Sequence, residues 1–133
     1  MLHSWHDRAY SAEEAASLAG IKRATLDVWL SRHRGVVFSE RRHARRWFSP
    51  RDIMLLRLAV ELERCGLRVG EALRAALLAL DEKPKPDAML LVAGKGTLTI
   101  SASDIAALPI DTTQTLIPVG RLAAEIIAAC TAA

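Results

Sequence analysis

The segment Lys83-Pro84-Lys85-Pro86 limits the folds open to this 133-residue chain more than any other feature. Two prolines so close together cannot lie inside a helix, because proline lacks the amide hydrogen and its ring collides with the preceding turn. The segment therefore predicts a boundary between a unit at residues 1–83 and a second unit at residues 84–133. Apolar residues make up 51% of the chain, which is enough for a hydrophobic core and excludes disorder of the whole chain.

Positive charge is concentrated in the first part of the chain. Residues 1–51 contain ten Lys and Arg against five Asp and Glu, a net charge of +5, together with all four histidines. Residues 52–83 and 84–133 each carry a net charge of −1, which brings the whole chain to +3. A basic unit followed by a neutral, apolar one predicts an anionic partner for the first and a packing or partner role for the second.

Two short helices joined by a glycine turn are predicted near the start of the chain. Ser11 is a typical N-cap residue, and Gly20 is expected to end the first helix. The apolar pattern restarts at Ile21 and continues to about Gly35. The positions that a helix-turn-helix needs are filled by small or apolar residues, namely Ala16, Leu18, Gly20, Ile21, Leu26 and Trp29.

The second helix of this motif would present a polar face to solvent. We expect the side chains of this face to contact base edges or phosphates of DNA. They are Lys22, Arg23, Thr25, Asp27, Ser31 and Arg32.

A β-hairpin is predicted next. Val36-Val37-Phe38 is a β-prone triplet that we expect to form the first strand, and Trp47-Phe48 the return strand, with the basic run between them at the tip. We expect Trp29, Trp47 and Phe48 to belong to the core, and Arg46 to be partly structural. The residues predicted to contact phosphates at this tip are Arg41, Arg42, His43, Arg45 and Arg46.

Two longer helices follow the hairpin. Ser49 as N-cap and Pro50 at the first helical position predict the start of a helix that runs through Ile53 to Cys65. Gly66 breaks it, and Val69 to Leu80 are predicted to form the next helix.

The second unit mixes strands and helices. Its predicted elements are a hairpin of Met89–Val92 and Thr97–Ile100, one or two helical turns at Ser103–Leu108, a strand at Thr115–Val119 and a helix at Arg121–Ala132. The predicted fold class is therefore α+β, mainly α with small β elements. Because the last helix is nearly uncharged and some 50 residues offer little to bury it, we expect it to pair subunits. The predicted dimerisation residues are Leu122, Ile126 and Ile127.

The order of these parts resembles the MerR-type winged helix-turn-helix family. The matching segments are Tyr10–Ala16 for the first helix, Gly20–Leu26 for the turn and recognition helix, Arg46–Ile53 for the wing exit and third helix, and Leu62–Leu73 for the junction to a fourth helix. The resemblance covers about residues 9–80. It implies a winged helix-turn-helix fold and a DNA-binding regulator, followed here by a small strand-and-helix module that replaces the family's long dimerisation helix.

Two departures from the family pattern concern the predicted DNA contacts. Family members usually carry Arg-Tyr-Tyr or a close variant where this chain has Asp27-Val28-Trp29. An acidic side chain near phosphate would repel it, so we expect Asp27 to pair with an arginine or to accept a hydrogen bond from a cytosine amino group. The wing has Ala44-Arg45 in place of the usual Gly-Tyr, and its extra arginines predict heavier backbone or minor-groove contact.

Other classes of function lack the residues they need. No apolar run is long enough to cross a bilayer and no signal peptide is visible, so we expect a cytoplasmic protein without a membrane partner. Cys65 and Cys130 are far apart and are predicted to be buried thiols rather than metal or redox ligands. We expect no cofactor, no metal and no enzymatic activity, and a small-molecule effector is not expected from so small a second unit.

Three functions remain open at this point. The first is a sequence-specific transcriptional regulator that binds double-stranded DNA as a homodimer. The second is an excisionase-like or architectural factor that bends DNA at direct repeats, and the third is an adaptor or antitoxin-like protein that binds another protein.

Overall fold

The computed structural model describes residues 4–37, 39–94, 96–108 and 113–132. The helices of this part of the chain are α1 (Ala12–Ala19), α2 (Arg23–Arg32), α3 (Pro50–Arg64), α4 (Val69–Ala79) and α5 (Val119–Ala132). Its strands are β1 (Tyr10–Ser11), β2 (Glu40–Arg42), β3 (Arg45–Phe48), β4 (Ala88–Ala93), β5 (Gly96–Ser101) and β6 (Thr115–Ile117), with a 3₁₀ helix at Ala102–Ala107. This order of elements confirms the α+β fold class.

Local signals set the helix starts. Ser11 accepts a hydrogen bond from the amide of Glu14 at 3.2 Å, and the Ser11 amide donates to the Glu14 carboxylate at 3.1 Å. Ser49 and Asp52 repeat this reciprocal capping at the start of α3. Such caps satisfy amides that a helix leaves without partners. Gly20 ends α1 in the left-handed conformation with φ 76°, so the predicted start and end of this helix are confirmed.

The strand predicted for Val36-Val37-Phe38 is wrong at its two described residues, and Phe38 lies outside the described part of the chain. The amides of Val36 and Val37 both donate to the carbonyl oxygen of His33, at 3.0 and 2.9 Å, so the chain turns here after α2. Val37 is buried in the core. The hairpin starts at Glu40 instead, and the basic residues form its strands rather than its tip.

The described part of residues 84–133 contains a three-stranded antiparallel sheet in the order β5-β4-β6. The predicted hairpin is confirmed, with Leu91 opposite Leu98; Lys95, predicted in its turn, lies outside the described residues. Since β4 is antiparallel to both neighbours, β5 and β6 run parallel to each other and lie at opposite edges of the sheet. Leu90, Val92 and Ile117 are on one face of this sheet and are buried in the main core.

The last helix is buried within its own chain. Helix α5 packs against α1, α3 and β4. Ile126 is 5% exposed, and Leu122 and Ile127 are half-buried against the same core, which extends from Trp5 to Cys130. From the sequence, we expected cover for this helix from residues 84–133 alone. That expectation is wrong, because α1 and α3 supply most of the cover, and burial of α5 gives no reason for a second subunit.

A hydrogen bond joins the two ends of this core. The Tyr10 hydroxyl donates to the carbonyl oxygen of Cys130 at 3.0 Å. Burial raises the pKa of the Tyr10 hydroxyl and that of the Cys130 thiol, because the charged form of each would lose its hydration. Cys130 is buried as predicted, whereas Cys65 is half-buried, and both thiols are free. Among the described residues, no helix is long and apolar enough to span a bilayer.

The proline segment is fixed in place by the start of α5. A Cβ atom added to the buried Gly120 would collide with the backbone carbonyl oxygen of Lys85 and lie 2.7 Å from that of Pro86. We therefore expect Gly120→Ala to lower the free energy of unfolding by about 2 kcal/mol, despite the better helix propensity of alanine. Urea unfolding measures this. Gly35→Ala is the control, since nothing lies within 4 Å of a Cβ there, and an equal loss in both variants would contradict the close approach.

The single tyrosine of the chain gives a direct test of the Tyr10–Cys130 contact. A raised pKa means that Tyr10 stabilises the fold fully below its ordinary value of 10.0, and that this stability is lost as the pH rises through the folded-state pKa. We expect Tyr10→Phe to cost about 1 kcal/mol at neutral pH, and the difference from wild type to shrink above pH 10. Tyrosinate absorbance, titrated with and without urea, measures the shift. Identical midpoints in both states would disprove it.

Candidate nucleic-acid interface

Helices α1 and α2, with the turn at Gly20, form a helix-turn-helix. Leu26 is fully buried and Trp29 is 5% exposed, so these two side chains fix α2 against α1 and the core. The side chains predicted for its outer face are exposed at Lys22, Arg23, Asp27, Ser31 and Arg32, whereas Thr25 is half-buried. Trp29 and Phe48 are core residues, as predicted, and Trp47 is half-buried.

A groove of about 840 Å³ lies between α2 and the hairpin formed by β2 and β3, with the first turn of α1 as its floor. Of the predicted DNA-binding residues, the groove brings together Arg23, Asp27, Ser31, Arg41, Arg45 and Arg46. The lining does not include Lys22, Thr25, Arg32, Arg42 or His43.

Two residues of this groove were missed by sequence reasoning. Arg34 continues the basic run that starts at Arg32, and Glu13 follows the N-cap of α1 by two residues, but neither was predicted as a site residue. With them, the groove is lined by five arginines and two carboxylates, a net charge of +3. A concave surface with this charge attracts a polyanion.

The hairpin register places like charges side by side. Arg41 is directly opposite Arg46, and Arg42 is directly opposite Arg45. Facing cations on neighbouring strands destabilise a sheet. The two residues of the turn, His43 and Ala44, have φ angles of 50° and 63°, a conformation that is unfavourable for residues other than glycine. An anion bound between the arginines would relieve the repulsion.

The hairpin arginines fall into two groups. The Arg42 guanidinium lies 5.2 Å from the centre of the Trp47 ring and donates a hydrogen bond to the carbonyl oxygen of Arg8. Arg46 donates to the hydroxyl of Ser39 at 3.1 Å, a contact within the hairpin region. Arg41 and Arg45 are exposed and make no hydrogen bond or ion pair with any described residue. These last two are therefore available to an external anion.

An ion-pair cluster surrounds Arg23 at the start of α2. Its Nε atom is 3.1 Å from Oδ1 of Asp27, and its Nη1 atom is 3.7 Å from Oε1 of Glu13. Of the two roles predicted for Asp27, the pairing with an arginine is the one seen in this chain.

Asp52 links the hairpin to the helices. This carboxylate is 5% exposed and accepts hydrogen bonds from the Ser49 amide at 2.8 Å and from Nε of Arg8 at 3.0 Å. Since Arg42 bonds to the backbone of Arg8, the position of the hairpin depends on the start of α3. No group of three or more His, Cys, Asp or Glu side chains suited to a metal ion occurs in the described ranges.

Arg42 and Arg45 form a matched pair for a stability test, because removing either one relieves the same repulsion between them. We expect Arg42→Ala to lower the free energy of unfolding by about 1 kcal/mol through loss of the ring contact and the hydrogen bond. We expect Arg45→Ala to change it by no more than a few tenths of a kcal/mol, toward higher stability. Thermal unfolding of both variants measures this, and equal effects would show that Arg42 is not structural.

Comparison with known proteins agrees with this geometry. A family model described as MerR HTH family regulatory protein matches residues 10–76, just over half of the chain. The match begins at β1, includes both helices of the helix-turn-helix and the hairpin, and ends within α4. No curated protein matches the chain.

Proposed function

This chain belongs to the MerR HTH family of regulatory proteins, which bind DNA, regulate transcription and are not enzymes, and from that premise we propose that it recognises a specific DNA sequence as a homodimer. The observation that carries the proposal is the groove between α2 and the hairpin, whose opposite walls supply the arginines that give it a charge of +3. A DNA duplex presents phosphates on both sides of its major groove. If α2 enters that groove, the arginines of α2 and of the hairpin therefore lie near the phosphate backbone of the DNA.

The proposed roles divide along the two walls. Helix α2 has ten residues and is about 15 Å long, which suits insertion into the major groove with its N-terminal residues nearest the bases. Lys22, Arg23, Thr25, Asp27, Ser31 and Arg32 would act there. Arg41, His43 and Arg45 would contact phosphates from the hairpin together with Arg34, while Arg42 and Arg46 would hold the hairpin in shape.

Dimerisation is proposed because a single helix-turn-helix reads only one half-site, and symmetric pairs of subunits read two. Residues 84–133 would supply the contact. Of the residues predicted for it, Leu122 and Ile127 keep part of their surface exposed, whereas Ile126 is buried and would support the contact from inside. We place the protein in the cytoplasm, associated with the nucleoid when bound to DNA, and no small-molecule effector is needed.

Sequencing of the genomic fragments retained by the protein across a salt series tests this function. We expect enrichment of a defined motif that persists at moderate salt, and footprints with two inverted half-sites. Retention without sequence preference that disappears at moderate salt would refute it. A run of direct repeats would favour the architectural factor instead, and a monomer that binds a protein partner but no DNA would favour the adaptor.

Arg45 offers a sharper test of the hairpin wall. We expect Arg45→Ala to weaken binding to all sequences by the same factor and to reduce the slope of log K against log salt concentration by about 0.9, the value for one phosphate contact. Fluorescence anisotropy at several salt concentrations measures both. Arg121→Ala is the matched control, since it removes the same charge from α5, where Arg121 pairs with Glu125. Equal effects in the two variants would mean that only net charge matters.

A further inference from the structure

Asp27 is an acidic residue on the surface proposed to face DNA, where its negative charge would repel phosphate. Asp27 is exposed on the same face of α2 as Arg23, one helical turn further along. It lines the groove proposed to receive DNA, and its carboxylate points to the arginine rather than to the core. Neither side chain belongs to the hydrophobic core, since Arg23 is 49% and Asp27 56% exposed. An ion pair this exposed adds little to the stability of the fold.

We propose that Asp27 is a positioning residue that holds Arg23 in the orientation that recognises a guanine in the major groove. This inference rests on the proposed DNA-binding function and assigns a base to one of its side chains. Arg23 is the first residue of α2, and the N-terminal residues of a recognition helix are those nearest the base edges.

The hydrogen-bond geometry leaves the required atoms of Arg23 available. Nε donates to Oδ1 of Asp27 at 3.1 Å, which fixes the plane of the guanidinium. This bond does not use the outer edge of the guanidinium, which is formed by one N–H group on each of the two terminal nitrogens. A guanine offers two acceptors in the major groove, O6 and N7, whose spacing fits the two terminal nitrogens of an arginine. The other bases lack this pair of acceptors. A guanidinium held in this orientation therefore makes both hydrogen bonds only with guanine, which gives the helix a preference for that base.

Glu13 also lies near the Arg23 guanidinium, but on a terminal nitrogen rather than on Nε. It belongs to α1, lies 3.7 Å from Nη1 and is 84% exposed. This distance is too long for a hydrogen bond, and Nη1 is one of the two atoms that guanine would need. Bound DNA would therefore displace Glu13 while Asp27 keeps its bond to Nε. The two carboxylates thus form a matched pair, with Asp27 orienting Arg23 and Glu13 competing for it.

Three variants test the assignment: Asp27→Ala, Glu13→Gln and Arg23→Lys. The motif selected by the wild-type protein from random DNA is measured first, and dissociation constants are then measured with each of the four base pairs at every motif position. We expect one G·C position at which Arg23→Lys loses about tenfold or more of the discrimination. Asp27→Ala should lose discrimination at that same position only, with binding to unrelated DNA unchanged or stronger. Glu13→Gln should strengthen binding to all sequences and keep the preference.

The outcomes separate the inference from the function on which it rests. If the wild-type protein selects a motif but Asp27→Ala keeps every base preference, or changes all affinities by one factor, Asp27 is only a counter-charge and the inference is wrong. The inference is also wrong if no G·C position depends on Arg23. If the wild-type protein selects no motif, the sequence-specific function itself fails, and the inference with it. Unchanged unfolding temperatures of the variants show that any effect is local.

Discussion

The buried carboxylate of Asp52 is the contact on which the arrangement of the DNA-facing parts depends. It caps α3, accepts the side chain of Arg8, and through the Arg8 backbone reaches the arginine that lies over Trp47. A helix start, the segment before β1 and the hairpin are thus joined by one charged group. Loss of Arg8 would leave this carboxylate without its cation in a poorly hydrated site, although the 34% exposure of Arg8 limits the strength of the pair. The orientation of the hairpin relative to α2, and with it the width of the groove, follows from this contact.

The elements that could be predicted from the sequence are those set by neighbouring residues. Ser11, Gly20 and Ser49 define helix ends through caps and a left-handed turn that involve only a few residues on either side. Val36 and Val37 show the opposite case. Their β-branched side chains favour a strand, but hydrogen bonds to His33 and burial of Val37 in the core determine the backbone there. The cover of α5 was likewise beyond local reasoning, because it comes from helices more than fifty residues earlier in the chain.

In the candidate site, too, the sequence predicts what neighbouring residues determine but not the role of every single side chain. The outer face of α2 could be predicted, because helical periodicity decides which residues point away from the core. The different roles of Arg41 and Arg42 could not, because two adjacent arginines are equivalent in a sequence. Strand alternation turns one toward Trp47 and the Arg8 backbone and leaves the other to solvent. Arg34 and Glu13 join the groove only because the fold brings α1, the end of α2 and the hairpin together.

The hydrogen bond from Tyr10 to Cys130 also affects when the chain can complete its fold during synthesis. It closes a loop of 120 residues, and the first and third helices pack against the last. A ribosome delivers the helix-turn-helix early, and α1, α3 and α4 can pack against one another, but the part of α1 and α3 that contacts α5 has no cover until residues 119–132 have emerged. Contacts of such sequence separation form late, since the chain must lose much of its freedom before they are made. The apolar patch that α5 covers therefore stays exposed on the nascent chain until synthesis has passed Cys130, and exposed apolar surface of this kind favours association of partly made chains.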